Sequence, residues 1–237
     1  MRKLRLVLIA VCAGVGLVLG GVWISRPREP VYQGKTVSEW LEPHALSGRN
    51  MHEIREIFHA MGKPAAPFLA RAFDETILEG LLRKIYPKLP IARKAISSHL
   101  TRQSNRRAVA SWGLSALGSN AVEVLPLIVK AKGSEAQRNM IIVLRDCAPH
   151  TSFESQAVKV LMGALTNTGT GHAQVAIESL VLFGQVAVPA LYQATVLEEG
   201  HIRRAEWALE RIDPEVAERA KAERRRKREA IVPGVAE

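Results

Sequence analysis

Cysteine is nearly missing from this 237-residue chain: only Cys12 and Cys147 are present, and the first lies inside an apolar run. That excludes a disulfide framework, so the soluble part must hold together by burying apolar surface. Aromatic residues make up 5% of the chain, too few to interleave with cations as stacking platforms for single-stranded nucleic acid. Strand signals are scarce, because no good alternating run is bounded by turn residues. Catalytic signatures are missing too: there is no GxSxG, HExxH, Walker-type or GxGxxG pattern. Acid, finally, is absent from residues 80–122.

What the chain does have begins at its amino terminus. Met1-Arg-Lys-Leu-Arg5 precedes residues 6–24, nineteen positions without a charge. As one helix such a run spans roughly the ~30 Å hydrocarbon layer of a bilayer. A cleavable signal peptide needs a shorter stretch and a small-x-small site. Here the run ends Gly20-Gly21-Val22-Trp23-Ile24-Ser25. A lipoprotein needs a small residue before its cysteine, whereas Cys12 follows Val11 in mid-run. An uncleaved anchor is the expectation, with Trp23 at the membrane–water boundary. Arg2, Lys3 and Arg5 against Arg26 and Arg28 favour a cytoplasmic N-terminus, which leaves the bulk of the chain outside the cytoplasm, on the periplasmic side. Gly16-Leu-Val-Leu-Gly20 matches GxxxG, a pattern that lets two helices approach closely. Pro27, Arg28, Glu29 and Pro30 read as a stiff linker.

Beyond the linker, an apolar triplet at i, i+4, i+7 recurs, usually with Gly, Ala or an acid after it. Ile54, Phe58 and Met61 precede Gly62; Ala110, Leu114 and Leu117 precede Gly118. Met140, Leu144 and Cys147 precede Ala148; Ala176, Leu180 and Phe183 precede Gly184; Ala205, Leu209 and Ile212 precede Asp213. Leu78, Leu82 and Ile85 form a weaker example. The spacing puts three side chains on one helical face, and a following Gly can end the helix in the left-handed region. A second apolar segment then opens with Pro67, Pro126 or Pro189, tolerated in a first helical turn. Each unit is therefore a helix, a tight turn and a second helix. Units of this kind cannot bury their faces alone and are expected to stack as a right-handed α-solenoid.

The units 54–69, 110–128 and 176–191 resemble HEAT repeats, with the interior Gly and the later Pro-x-Leu or its near equivalent. Tyr32-Gln-Gly-Lys-Thr-Val-Ser-Glu-Trp-Leu41 is similar to the juxtamembrane segment of small membrane-anchored bacterial HEAT-repeat proteins. The resemblance covers nearly the whole chain and weakens over residues 78–100, where proline and basic residues interrupt the unit. It implies a scaffold for protein contacts and brings no catalytic residues. Within it, Thr36-Val-Ser-Glu39 matches a capping box. Val37, Trp40 and Leu41 would then seal the first repeat; Tyr32 and Trp40 as direct ligand contacts are the other reading.

The acid-free window carries Arg83, Lys84, Lys88, Arg93, Lys94, Arg102, Arg106 and Arg107. In a two-layer solenoid these converge along one rim that favours an anionic polymer, lipid headgroups or an acidic protein surface. Lys221-Ala-Glu-Arg-Arg-Arg-Lys-Arg-Glu229 is a second basic cluster, expected to extend the last helix and then fray. His52, Glu56 and His59 share one helix stripe with ligand-type side chains, but on the outer face, without a dry cavity. Cys147 and His150 are near in sequence, yet Cys147 sits at a core position. Glu198 and Glu199 are adjacent and read as a loop.

The sequence thus predicts an all-α chain, an α-α superhelix (a HEAT-like solenoid) preceded by one N-terminal transmembrane helix. Its divisions are a basic flank at 1–5, the anchor at 6–24, a linker at 25–36, the solenoid at 37–220 and a basic tail at 221–237. The expected role is a non-catalytic scaffold that binds another protein in the cell envelope, with no cofactor or metal and with nucleic acid disfavoured. Recognition of an anionic polymer or lipid headgroup through the basic rim is the second reading; an enzyme is the third.

Overall fold

A computed structural model describes residues 28–73, 79, 81–82, 84, 86, 93–131, 134–165, 171–197 and 202–231. The anchor at 6–24, Arg83, Lys88, Glu198 and Glu199, and the end of the basic tail lie outside these residues, as do Leu78 and Ile85 of the weak triplet. Among the described residues no single helix is long and apolar enough to cross a membrane.

The chain is mostly helical, as the missing strand signals predict. Among the described residues the exception is a hairpin of two-residue strands, β1 (Val31–Tyr32) against β2 (Lys35–Thr36), paired antiparallel with Val31 opposite Thr36. Its turn residues Gln33 and Gly34 both have positive φ, 51° and 75°, the backbone of a tight hairpin whose twist matches its strands. Half of the segment assigned to the linker is thus folded onto the body. Trp40 reaches back to donate its ring N–H to the Tyr32 carbonyl at 3.1 Å.

Helix α1 (Val37–Trp40) starts at the capping box: Thr36 N–H donates to Glu39 Oε2 at 2.7 Å, and Glu39 N–H donates to Thr36 Oγ1 at 3.3 Å. Val37, Trp40 and Leu41 are fully buried. Then α2 (Met51–Met61), capped by Asn50, presents Ile54, Phe58 and Met61 to the core and ends at Gly62, φ 67°. Gly118 and Gly184 repeat that left-handed turn at 55° and 58°. An L side chain would be strained there, so glycine is where the chain can reverse. After each turn Pro67, Pro126 and Pro189 sit in the first turns of α3 (Ala66–Arg71), α5 (Leu125–Ile128) and α9 (Val188–Val196). In the intervening unit, after Cys147, the residue with positive φ is His150, at 60°.

The longest helix among the described residues is α4 (Arg93–Leu117), which begins soon after Pro90. It is followed by α6 (Ser134–Cys147), α7 (Glu154–Leu165), α8 (His172–Phe183), α10 (Ile202–Ile212) and α11 (Pro214–Ile231). Successive first helices touch in order: α2 with α4, α4 with α6, α6 with α8, α8 with α10. The other helices touch in two runs, α1 with α3 and α3 with α5, then α7 with α9 and α9 with α11, without a comparable contact between α5 and α7. One core cluster runs from Val37 to Ala220, containing all three residues of the first four full triplets. At roughly 1.5–3 kcal/mol for each fully buried large apolar side chain, that core is the main source of the fold's stability.

Candidate functional site

Helix α4 is the platform for the basic rim. Lys94, Ser97, Ser98, Thr101, Arg102 and Asn105 fall about one turn apart and form a polar stripe on its outer side. Ser98 keeps its hydroxyl on the helix by donating to the Lys94 carbonyl at 2.8 Å. Opposite the stripe lies the 3-10 turn Pro43–Leu46, led by Glu42. Ser97, Ser98, Thr101, Arg102 and Asn105 together with Glu42 and His44 line an open depression of about 590 Å³.

Two arginines meet at Glu42. Arg102 Nε donates to Oε2 at 2.8 Å and its Nη2 contacts the same oxygen, while Arg106 Nη1 stands 3.3 Å from Oε1. The spacing i, i+4 makes this possible, since residues four apart share a helix face. Glu42 is 17% exposed and Arg102 is 56% exposed, so each pair contributes at most about 1 kcal/mol. The effect on shape is larger than on energy: the carboxylate fixes two cations at the mouth of the depression and takes up part of their charge.

Not every predicted rim residue is on the surface. Lys84, Arg93, Lys94 and Arg102 are exposed and Arg106 is half-buried. Arg107 is a correction to the rim, being buried at 3% exposure with Nη2 on Glu79 and Nη1 3.7 Å from Glu135. The reason is register: 107, 110, 114 and 117 form one stripe, so Arg107 extends the core face of Ala110, Leu114 and Leu117. The acids that answer the window, Glu42, Glu79 and Glu135, all come from outside it. Only the stripe arithmetic at Arg107 was available to find this beforehand; the acids' positions follow from tertiary contacts.

The other candidates separate. His52 Nε2 is 3.2 Å from Glu56 Oε1, both well exposed, and His59 is exposed a turn further on. Among the described residues no group of three or more potential metal ligands comes together. Cys147 is buried and its thiol donates to the Leu114 carbonyl at 3.2 Å. Burial, with Asp146 adding to it, pushes that thiol up to about 12, so it is neutral and unreactive near pH 7. His150 is exposed beyond the helix end, its N–H donating to Glu154 Oε1 at 3.1 Å. Trp40 is buried beneath two cations, Lys35 and Arg49, at 4.7 and 5.1 Å from its ring centroid.

The basic tail is tied down over its first half. Helix α11 runs through residue 221 without a break. Lys221 donates to Glu210 at 2.5 Å and Glu218 at 2.8 Å, Arg224 pairs with Glu206, and the Tyr192 hydroxyl donates to Glu223 at 2.6 Å. The Glu210 contact, with Glu218 behind it, raises the Lys221 ammonium above its ordinary range. The Glu223 bond likewise raises the Tyr192 phenol.

No protein-family model, curated protein or solved structure matches this chain.

Proposed function

We propose that this chain is a membrane-tethered HEAT-like α-solenoid that binds another protein of the cell envelope through the depression on α4, without catalysis. In this reading residues 6–24 cross the bilayer, the N-terminus is cytoplasmic, and the stacked helices stand outside the cytoplasm. The consecutive contacts of α2, α4, α6, α8 and α10 support the solenoid, because each unit then buries its apolar face against the next.

One observation carries the choice of partner. Glu42 sits between Arg102 and Arg106 at the mouth of a depression otherwise lined by hydroxyls, an amide and a histidine. A polyanion needs an uninterrupted cationic stripe, and a carboxylate in its path repels it. A folded protein surface offers both signs with donors and acceptors in between, which is what this lining can pair. Helix α4 is part of the packed core, so little ordering cost accompanies recognition.

The test fills the depression without disturbing its ion pairs. Ser97→Arg with Thr101→Arg changes two exposed positions and leaves Glu42, Arg102 and Arg106 intact. In crosslinked membranes the wild-type chain should capture a discrete protein that the double variant loses, while the thermal unfolding midpoint stays within a few degrees. The same proteins captured by both chains would remove the depression from the account. That outcome, together with loss of wild-type retention on a polyanionic resin when exposed Lys94 is changed to Glu, would favour the polymer reading instead.

A further inference from the structure

The chain enters its fold through a clamp. Both oxygens of Glu29 accept from Ser38, one from the backbone N–H at 2.9 Å and one from the hydroxyl at 2.7 Å. Ser38 is in the first turn of α1, so Glu29 satisfies a helix-start N–H that has no partner within the helix. The hairpin follows at once, and Trp40 holds its first strand through the Tyr32 carbonyl. No slack remains between residue 29 and the body of the domain.

On the anchor reading of residues 6–24, only residues 25–28 separate the membrane span from this clamp. Four residues reach at most about 14 Å when fully extended. The headgroup layer is itself about 5–8 Å thick on each side of the hydrocarbon. Even fully extended, that tether lets the clamp, at its corner of the domain, stand no farther than one helix diameter, about 10–12 Å, from the headgroups, whatever the tilt of the span.

That corner has the composition of an interfacial surface. Val31 is 62% exposed and Met51 is 47% exposed, and the strand bearing the first packs against α2, which begins with the second. Lys35 from the hairpin and Arg49 from the loop before α2 lie over one tryptophan ring, which gathers both segments at the same corner. The local acids are drawn into helix starts. Glu29 binds Ser38, Glu39 binds Thr36, and Glu53 accepts from Asn50 at 2.7 Å while standing 3.6 Å from Arg49. Apolar side chains flanked by cations suit the boundary between acyl chains and lipid phosphates.

We infer that Val31, Lys35, Arg49 and Met51 form a membrane-contact corner that rests in the headgroup layer of the bilayer holding the anchor, and so fixes the orientation of the domain. This inference rests on the anchor reading, and its experiment separates the two. The full chain, carrying Cys12→Ser and Val31→Cys, is labelled with a nitroxide and reconstituted into vesicles of phosphatidylcholine with phosphatidylglycerol. A second chain carries the label at Leu182→Cys, an equally exposed position on α8; the buried Cys147 stays unlabelled. Collision with a water-soluble nickel chelate should be several-fold lower at 31 than at 182, with higher oxygen accessibility at 31. Equal chelate access at both positions, in protein that resists alkaline carbonate extraction, overturns the corner and keeps the anchor. Release of the chain by carbonate overturns both.

Discussion

Arg107 owes its place to one register position. Three residues before Ala110, it falls on the core stripe of α4, and the fold answers it with Glu79 and Glu135. Removing one member of such a buried pair is strongly destabilising, by up to about 3–5 kcal/mol. Arg107→Met should therefore unfold at markedly lower denaturant in detergent solution, and adding Glu79→Gln should recover part of the loss. Equal stability of the single variant and wild type would remove the pair from the account. Cys147 gives a second expectation at this scale. Its folded value, about 12, is above its ordinary value near 9, so between those pH values the native state keeps a proton that the unfolded state releases. Stability then falls as pH rises through that window, with a slope of at most about 1.4 kcal/mol per pH unit from this thiol. Cys147→Ala should lack that component in unfolding curves recorded from pH 8.5 to 10.5; identical slopes would contradict the assignment. Local pattern makes such residues readable when their role is set by their own helix, as with the buried Cys147. Glu42 was not readable in this way, because its partner Arg102 lies 60 positions along the chain.

Helices are where the sequence speaks most clearly. The triplets mark buried faces and the prolines mark helix starts, because both signals act within a few residues of each other. The hairpin at 31–36 was not legible, since two residues per strand are too few for alternation to register. Close approach between helices was not legible either. At Gly113 an added Cβ would stand 2.9 Å from Cγ and Cδ2 of Phe58 and 3.0 Å from Cδ1 of Leu69. Helix propensity alone favours alanine over glycine by about 1 kcal/mol. Phe58 and Leu69 are fully buried and cannot swing aside, so overpacking of about 1–3 kcal/mol should win. Gly113→Ala is expected to lower the thermal midpoint, and a higher midpoint would mean that α2 and α3 yield more readily than their packing implies. The last helix supplies another test. Hydrogen exchange should be slow in α11 up to about Arg224, where Glu206, Glu210 and Tyr192 hold it, and fast in the exposed turns beyond. Uniform exchange along α11 would leave those contacts without mechanical weight.

At the scale of the whole molecule, the described helices pack around one shared apolar core. The lining of the depression on α4 lies outside that core, so changes at Ser97 and Thr101 cost the fold little. Charge counted along the sequence overstates how basic this surface is. The acid-free window is contiguous in sequence, but in space it is answered from Glu42, Glu79 and Glu135. The central claim, that the depression receives a protein, is tested most directly by photocrosslinking in intact membranes. A photoreactive benzoyl-phenylalanine replaces Thr101 in one chain and Gln174, exposed on α8, in another. The account predicts a discrete protein adduct from position 101 that is absent from position 174. No protein adduct at 101, or the same adducts from both positions, would contradict it.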